Sequence, residues 1–221
     1  MRSAIQAVVF DFDGVLADSE PLHLAAYQRL IEPRGIHLDE RTYCERYLGY
    51  DDEGALRRMA DDNGLRLEDE EIERLIVEKG HVFEALVGSR DVLYRGAADC
   101  VRRLSAAWPV GIASGAERGD IDLILRGARL EDLFRFIVAA GDTERSKPAP
   151  DPYLRAAELH GVSAAACVAI EDSHWGLESA RTAGMRTIAI THTYPRDALS
   201  DAADVVIDSL AELTPDLLKR L

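Results

Sequence analysis

The stretch Val8-Val9-Phe10-Asp11-Phe12-Asp13-Gly14 ends an apolar run in two carboxylates separated by one residue. In an extended chain residues two apart share a side, so Asp11 and Asp13 would stand together at the end of a strand. Two such charges about 4 Å apart repel by roughly 4 kcal/mol at an effective dielectric near 20. A hard cation such as Mg²⁺, which takes carboxylate and carbonyl oxygens and keeps several waters, would offset that cost. Two turn or helix-capping acids are the other reading, and they need no ligand. Gly14 lets the backbone turn sharply and lets a ligand come close.

Three further places in the chain carry comparable chemistry. The run Cys167 to Ile170 ends in Glu171 and Asp172, followed by Ser173 and Gly176. Two strand ends bearing acids in one sheet imply a shared demand for positive charge, with helix capping as the alternative. Ser114 and Gly115 close the run Val110 to Ala113. A hydroxyl and N–H groups at a strand-to-helix turn can cradle an anion, although capping alone would explain them. Lys147 stands in Ser146-Lys147-Pro148-Ala149-Pro150, where two prolines fix the local path and disfavour helix. It is either a surface lysine or a rigidly held cation that could neutralise a phosphoryl oxygen.

The elements that must position these residues are legible in the hydrophobic pattern. Apolar runs recur at Ile5 to Phe10, Val110 to Ala113, Phe136 to Ala139, Val168 to Ile170, Thr187 to Ile190 and Val205 to Ile207. They are continuous rather than alternating, as parallel strands buried on both faces should be. Helical patterns lie between the later runs: Ile121, Ile124, Leu125 and Ala128 keep one face, and Asp151-Pro152 opens another helix as N-cap and N1. This alternation predicts a Rossmann-like, doubly wound α/β core with a parallel sheet.

Between the first two runs roughly 90 residues read as all helix. One stripe is Leu22, Ala25, Ala26 and Leu30; a second is Ala55, Leu56, Met59 and Asn63. The third is Ile72, Leu75, Ile76, Lys79, Val82, Phe83 and Leu86, with Gly80 a tolerated flaw. The expected organisation is a core of residues 1–18 and 91–221 and an inserted all-helical cap of residues 19–90. An insert at that point would act as a lid over the strand ends, where open α/β sheets bind ligands.

Composition narrows the partners. The 221 residues carry 40 acids against 26 bases, a net charge of −14, which disfavours nucleic acid. No apolar run approaches the ~18 residues of a membrane span, and no cleavage-site pattern follows the first run. Cys44, Cys100 and Cys167 are scattered, as thiols in a reducing cytoplasm would be. A monomer or weak homodimer is expected. An anionic substrate would have to rely on a metal, a lysine or backbone N–H groups.

The order of these motifs resembles the haloacid dehalogenase-like superfamily, in its phosphatase and phosphoglucomutase-like branch. The resemblance covers nearly the whole chain and rests on DFDGVLADSE from Asp11 to Glu20, IASG from Ile112 to Gly115, SKPAPD from Ser146 to Asp151 and IEDSHWG from Ile170 to Gly176. It implies phosphoryl transfer, with Asp11 as nucleophile and Asp13 as the acid that protonates the leaving oxygen and then activates water. It further implies Mg²⁺ held by Asp11, the backbone carbonyl of Asp13, Asp172 and, directly or through water, Glu171. Ser114 and Gly115 would grip phosphoryl oxygens, and Lys147 would offset charge on the Asp11–phosphoryl unit. A second aspartate serves a leaving oxygen that needs a proton, which a departing halide does not.

In the cap, His23 and Lys79 fall where relatives in that branch place a histidine and a lysine, and Gly49 lies in a segment, Tyr47 to Ala55, resembling the family's specificity loop. His23 could equally be a plain surface or core residue, and Lys79 a solvated lysine. Asp51, Asp52 and Glu53 stand where a sugar-phosphate mutase of this family carries basic and hydroxyl groups, and acids there would repel a second phosphate. The expected function is therefore Mg²⁺-dependent hydrolysis of a small phosphorylated metabolite such as a sugar phosphate. A β-phosphoglucomutase-like mutase and a non-catalytic phospho-receiver are the alternatives.

Overall fold

The computed structural model describes residues 4–48, 50–88 and 92–221. The chain divides into two compact units, Met1–Asp18 with Val92–Leu221, and Ser19–Asp91. The first unit is built on a six-stranded sheet: β1 (Ala7–Phe10), β2 (Val110–Ala113), β3 (Phe134–Val138), β4 (Cys167–Glu171), β5 (Arg186–Ile190) and β6 (Val205–Ile207). The order across the sheet is β3-β2-β1-β4-β5-β6, and every pair is parallel. All residues of β1, β2, β4 and β5 are buried, so these strands can be apolar without alternation. β3 is, with β6, one of the two edge strands and begins two residues before the apolar run, at Phe134 and the exposed Arg135.

The register fixes which residues reach the same level. Phe10 pairs with Ile112 on one side and Ile170 on the other. Asp11 N–H then donates to the Ile170 carbonyl at 2.9 Å, which brings Asp11 level with Glu171. The chain moves outward from β1 to β3 in one direction and from β4 to β6 in the other. Such a reversal opens a crevice beyond the carboxyl ends of the strands.

Among the described residues the second unit holds α1 (Glu20–Ile31), α2 (Glu40–Arg46), α3 (Asp52–Asp62) and α4 (Asp69–Val87), and the first holds α5 (Ala97–Ser105), α6 (Arg118–Ala128), α7 (Asp151–His160), α8 (His174–Thr182), α9 (Arg196–Leu199) and α10 (Pro215–Arg220). On α7 the residue before the helix is Pro150 rather than Asp151, one position earlier than the sequence suggests. Gly161 closes it in the left-handed region, at φ 72°.

The second unit has its own apolar core, including Leu30, Leu38, Leu56, Met59, Ile72 and Leu75. Its apolar stripes are those of α1, α3 and α4, with α2 an addition that the periodicity does not show. α2 buries Tyr43 alone and owes its start to Asp39, whose carboxylate accepts from the Thr42 N–H at 2.7 Å.

One buried group gives the core unit a built-in pH dependence. His160, at the end of α7, is 7% exposed, its ring edge-on to Phe136 at 4.6 Å. No side chain pairs with either ring nitrogen, and the Val8 backbone only partly offsets the burial. Burial holds its pKa down to about 4, against 6.5 for a free imidazole. Because the unfolded chain takes up this proton first, the stability is fully present above pH ~6.5 and is lost as pH falls toward 4. The loss attributable to His160 is about 2–3 kcal/mol at its limit. Urea unfolding at pH 7.5 and pH 4.5 should show a smaller difference in His160→Leu than in the parent; equal differences would rule out the neutral buried imidazole.

Candidate active site

Four strand ends converge on one cluster. Asp11 follows β1 and is 8% exposed; Glu171 ends β4 and is fully buried, with Asp172 next to it. Oxygens of Asp11, Glu171 and Asp172 all lie within 4.8 Å of one another. Lys147 arrives from the loop after β3, with Nζ donating to Asp11 Oδ1 at 2.7 Å and to Glu171 Oε1 at 2.6 Å. Ser114 follows β2 and is buried; its N–H donates to the Val138 carbonyl, while Oγ accepts from the Ala116 N–H at 3.1 Å. Gly115 beside it is exposed.

The lysine is held by its surroundings rather than by its own chain flexibility. Arg145 forks onto Asp151 with two bonds of 2.8 Å, closing the ends of the Ser146–Pro150 segment. The Nζ lies 4.9 Å from the centre of the Tyr153 ring, supplied by α7. Burial alone would lower the lysine pKa, but the carboxylates of Asp11 and Glu171 outweigh it and keep the ammonium charged.

The carboxylates are in the opposite situation. Burial pushes Asp11 up to about 7 despite Lys147, with Glu171 adding to the rise. Asp172 is raised well above the usual carboxylate range, by burial first and then by Glu171 and Asp11. Three carboxyl groups face one ammonium in a buried cluster, and the donor set is all oxygen. That combination fits a divalent hard cation. Glu171 is the least available of the three. Its Oε1 also accepts from Tyr153 Oη at 2.7 Å, and its Oε2 from Ser173 Oγ at 3.1 Å and the Asp172 N–H at 3.2 Å.

Two glycines make this density possible. A Cβ on Gly14 would sit 2.0 Å from Asp172 Oδ2, and Gly14 has φ 76°. A Cβ on Gly176 would sit 1.8 Å from Glu171 Oε1. Gly176 N–H instead meets Ser173 Oγ, the cap of α8, at 3.1 Å.

Asp13 is half-buried, in a turn where the Gly14 N–H donates to the Ala17 carbonyl at 2.9 Å. The two connections to the second unit run side by side: Ala17 bridges Leu93, and the Asp18 N–H donates to the Val92 carbonyl at 2.8 Å.

The residues expected of a cap lie in the second unit. His23 is half-buried and stacked on Phe83 at 4.3 Å, and burial, then Lys79, keeps its imidazole neutral. Lys79 is 1% exposed, with Nζ on Asp52 Oδ1 at 2.8 Å. Tyr27 Oη donates to the same oxygen at 2.7 Å. Asp51 caps α3 through the Gly54 N–H, and Glu53 pairs with Arg57. All three acids of this segment therefore have partners inside the unit. Gly49 lies outside the described residues. Tyr153, Thr193 and His192 take part in the site's bonding but belong to no motif.

A family model for haloacid dehalogenase-like hydrolases matches residues 5–184. The chain belongs to that family. It is 29% identical to beta-phosphoglucomutase of Bacillus subtilis, over 97% of this chain and 94% of that one. It is 27% identical to the fructose-1-phosphate phosphatase YqaB of Escherichia coli, over 86% and 98%. Among solved structures, a variant of CbbY from Rhodobacter sphaeroides in complex with xylulose-(1,5)bisphosphate superposes with a TM-score of 0.84 at 27% identity, covering 94% of this chain and 96% of that one. This haloacid dehalogenase-like hydrolase is thus an enzyme with the family's parallel-sheet core, and among its described residues no helix is long and apolar enough to cross a membrane.

Proposed function

We propose that this hydrolase is a Mg²⁺-dependent phosphatase acting on a small phosphate monoester, a sugar phosphate or a related metabolite. The observation that carries the reading is Lys147 Nζ bridging Asp11 and Glu171 beside Asp172, with Ser114 at the neighbouring strand end. Asp11, Asp172, the Asp13 carbonyl and Glu171, directly or through water, would hold the cation. When bound, Mg²⁺ supplies charge that offsets the acids and the phosphoryl oxygens.

Asp11 attacks phosphorus with a carboxylate oxygen, forming an acyl phosphate as the ester P–O bond breaks. Asp13 gives its proton to the departing alkoxide, so an alcohol leaves. Asp13 then takes a proton from water, which attacks the phosphorus and returns Asp11 and inorganic phosphate. Lys147 stays protonated throughout and stabilises charge on the transferred group, while Ser114 and Gly115 orient its oxygens. His23 and Lys79 are already engaged within the second unit, on Phe83 and Asp52.

A mutase is the second reading, favoured by the partners that Asp51, Asp52 and Glu53 find within their own unit. Their charge then weighs less against a second phosphate than the bare sequence suggests. Mass balance separates the two. Incubation with a panel of hexose, pentose and triose phosphates plus Mg²⁺ should release inorganic phosphate in molar proportion to ester consumed, and EDTA should stop it. Isomerised ester without phosphate release would overturn the hydrolase reading.

A further inference from the structure

The loop following β5 reaches back over the acid cluster at two points. Thr193 Oγ1 donates to Asp172 Oδ2. His192 Nδ1 lies 2.9 Å from the Gly14 carbonyl oxygen. A carbonyl oxygen only accepts, so Nδ1 carries the hydrogen and the tautomer is set. The imidazole is stacked on Tyr94 at 3.8 Å. On its other side the loop is tied to β6: the Thr191 N–H donates to the Ile207 carbonyl at 3.1 Å, and Thr191 Oγ1 to Asp208 Oδ1 at 2.9 Å. The threonine hydroxyl is therefore presented to Asp172 from a segment fixed on both sides.

We propose that Thr193 is a positioning residue that sets the plane of the Asp172 carboxylate and thereby its affinity for the cation. The inference rests on the reading of Asp172 as a ligand. The terminal torsion of an aspartate is broad and roughly two-fold, so a carboxylate at a strand end has no orientation of its own. A donor on Oδ2 selects one orientation of the carboxylate, one of whose oxygens lies within 4.8 Å of oxygens of Asp11 and Glu171. The fit is close on the opposite side too, since a Cβ on Gly14 would lie 2.0 Å from Asp172 Oδ2 and 2.8 Å from Thr193 Oγ1. Gly14 thus leaves room for both groups of the bond. Partners that orient metal-binding side chains typically contribute 10- to 100-fold in metal affinity.

Thr193 is an exposed residue, so removing its hydroxyl disturbs no core. Mg²⁺ binding should be titrated calorimetrically, without substrate, in the parent, Thr193→Val, Thr193→Ser and Asp172→Asn. Thr193→Val should bind Mg²⁺ about 10- to 100-fold more weakly. Its KM for ester at saturating Mg²⁺ should stay within about twofold, because the ester-contacting groups are untouched. Thr193→Ser should restore affinity to within about threefold, since it keeps the hydroxyl. Parent-like Mg²⁺ affinity in Thr193→Val, with binding lost in Asp172→Asn, overturns the role of Thr193 alone. A serine variant as weak as the valine variant overturns the hydroxyl as its cause. A parent that takes up no Mg²⁺ overturns the ligand reading and the inference together.

Discussion

Asp11→Asn is expected to lower phosphate release by at least about a thousandfold while leaving the protein folded. The amide has no anionic oxygen with which to attack phosphorus, and no neighbouring group can take over formation of the acyl phosphate. Its carbonyl oxygen can still accept from Lys147, whose Nζ lies 2.7 Å from Asp11 Oδ1, so the cluster keeps its main contact. Removing one of three mutually repelling acids also relieves charge. Turnover measured alongside a thermal melt checks this. Activity within tenfold of the parent, at unchanged melting temperature, would sink the assignment of Asp11 as nucleophile.

Lys147→Met should be the more damaging change to the fold. Met has nearly the same reach and can keep its stem over the Tyr153 ring. What it removes is the counter-charge of Glu171, which is fully buried 2.6 Å from Nζ, and of Asp11. Breaking a buried pair by deleting one partner costs about 3–5 kcal/mol, because the remaining charge stays desolvated. Catalysis should fall by about a hundredfold or more, since the transferred group loses a preorganised cation. Denaturant unfolding without metal measures the first effect and steady-state kinetics with saturating Mg²⁺ the second. A stability within 1 kcal/mol of the parent would show that the acids do not depend on the lysine.

The core of the fold was readable because its strands are buried on both faces and so appear as plain apolar runs. β3 is where that signal weakened, since an edge strand tolerates the exposed Arg135 and the run begins only after it. α2 was invisible for a related reason: with Tyr43 alone buried it has no stripe, and only the capping pair Asp39 and Thr42 marks it. Lys79 shows what periodicity can and cannot say. It occupies a position on the apolar stripe of α4, and the structure buries it there, but a stripe does not reveal that Asp52 and Tyr27 wait to neutralise it.

At the site, Asp11, Glu171 and Asp172 stood out because each follows an apolar run, and Lys147 because two prolines frame it. Tyr153 and Thr193 did not, because a hydroxyl that supports a carboxylate can come from any element that passes nearby. Their bonds to Glu171 and Asp172 span 18 and 21 residues, and nothing local announces them. The acids at 51–53 were misleading in a different way. Read as a string they look like a field facing a ligand, whereas helix capping, an ion pair and an i, i+4 bridge each take one.

The paired connections at Ala17–Leu93 and Asp18–Val92 bear on how such an enzyme can change. From the viewpoint of the sheet, the chain departs and returns at a single spot, as it would around a tight turn. Closure of the long excursion is thus secured by core residues, and the entropy of joining ends rises only slowly with what lies between them. The excursion also carries a separate apolar nucleus, so its residues answer to different packing demands from those around Asp11 and Lys147. Mutation can therefore redraw one module's preferences, in length or in side chains, without renegotiating the chemistry in the other. One catalytic apparatus can in this way be reissued for many esters.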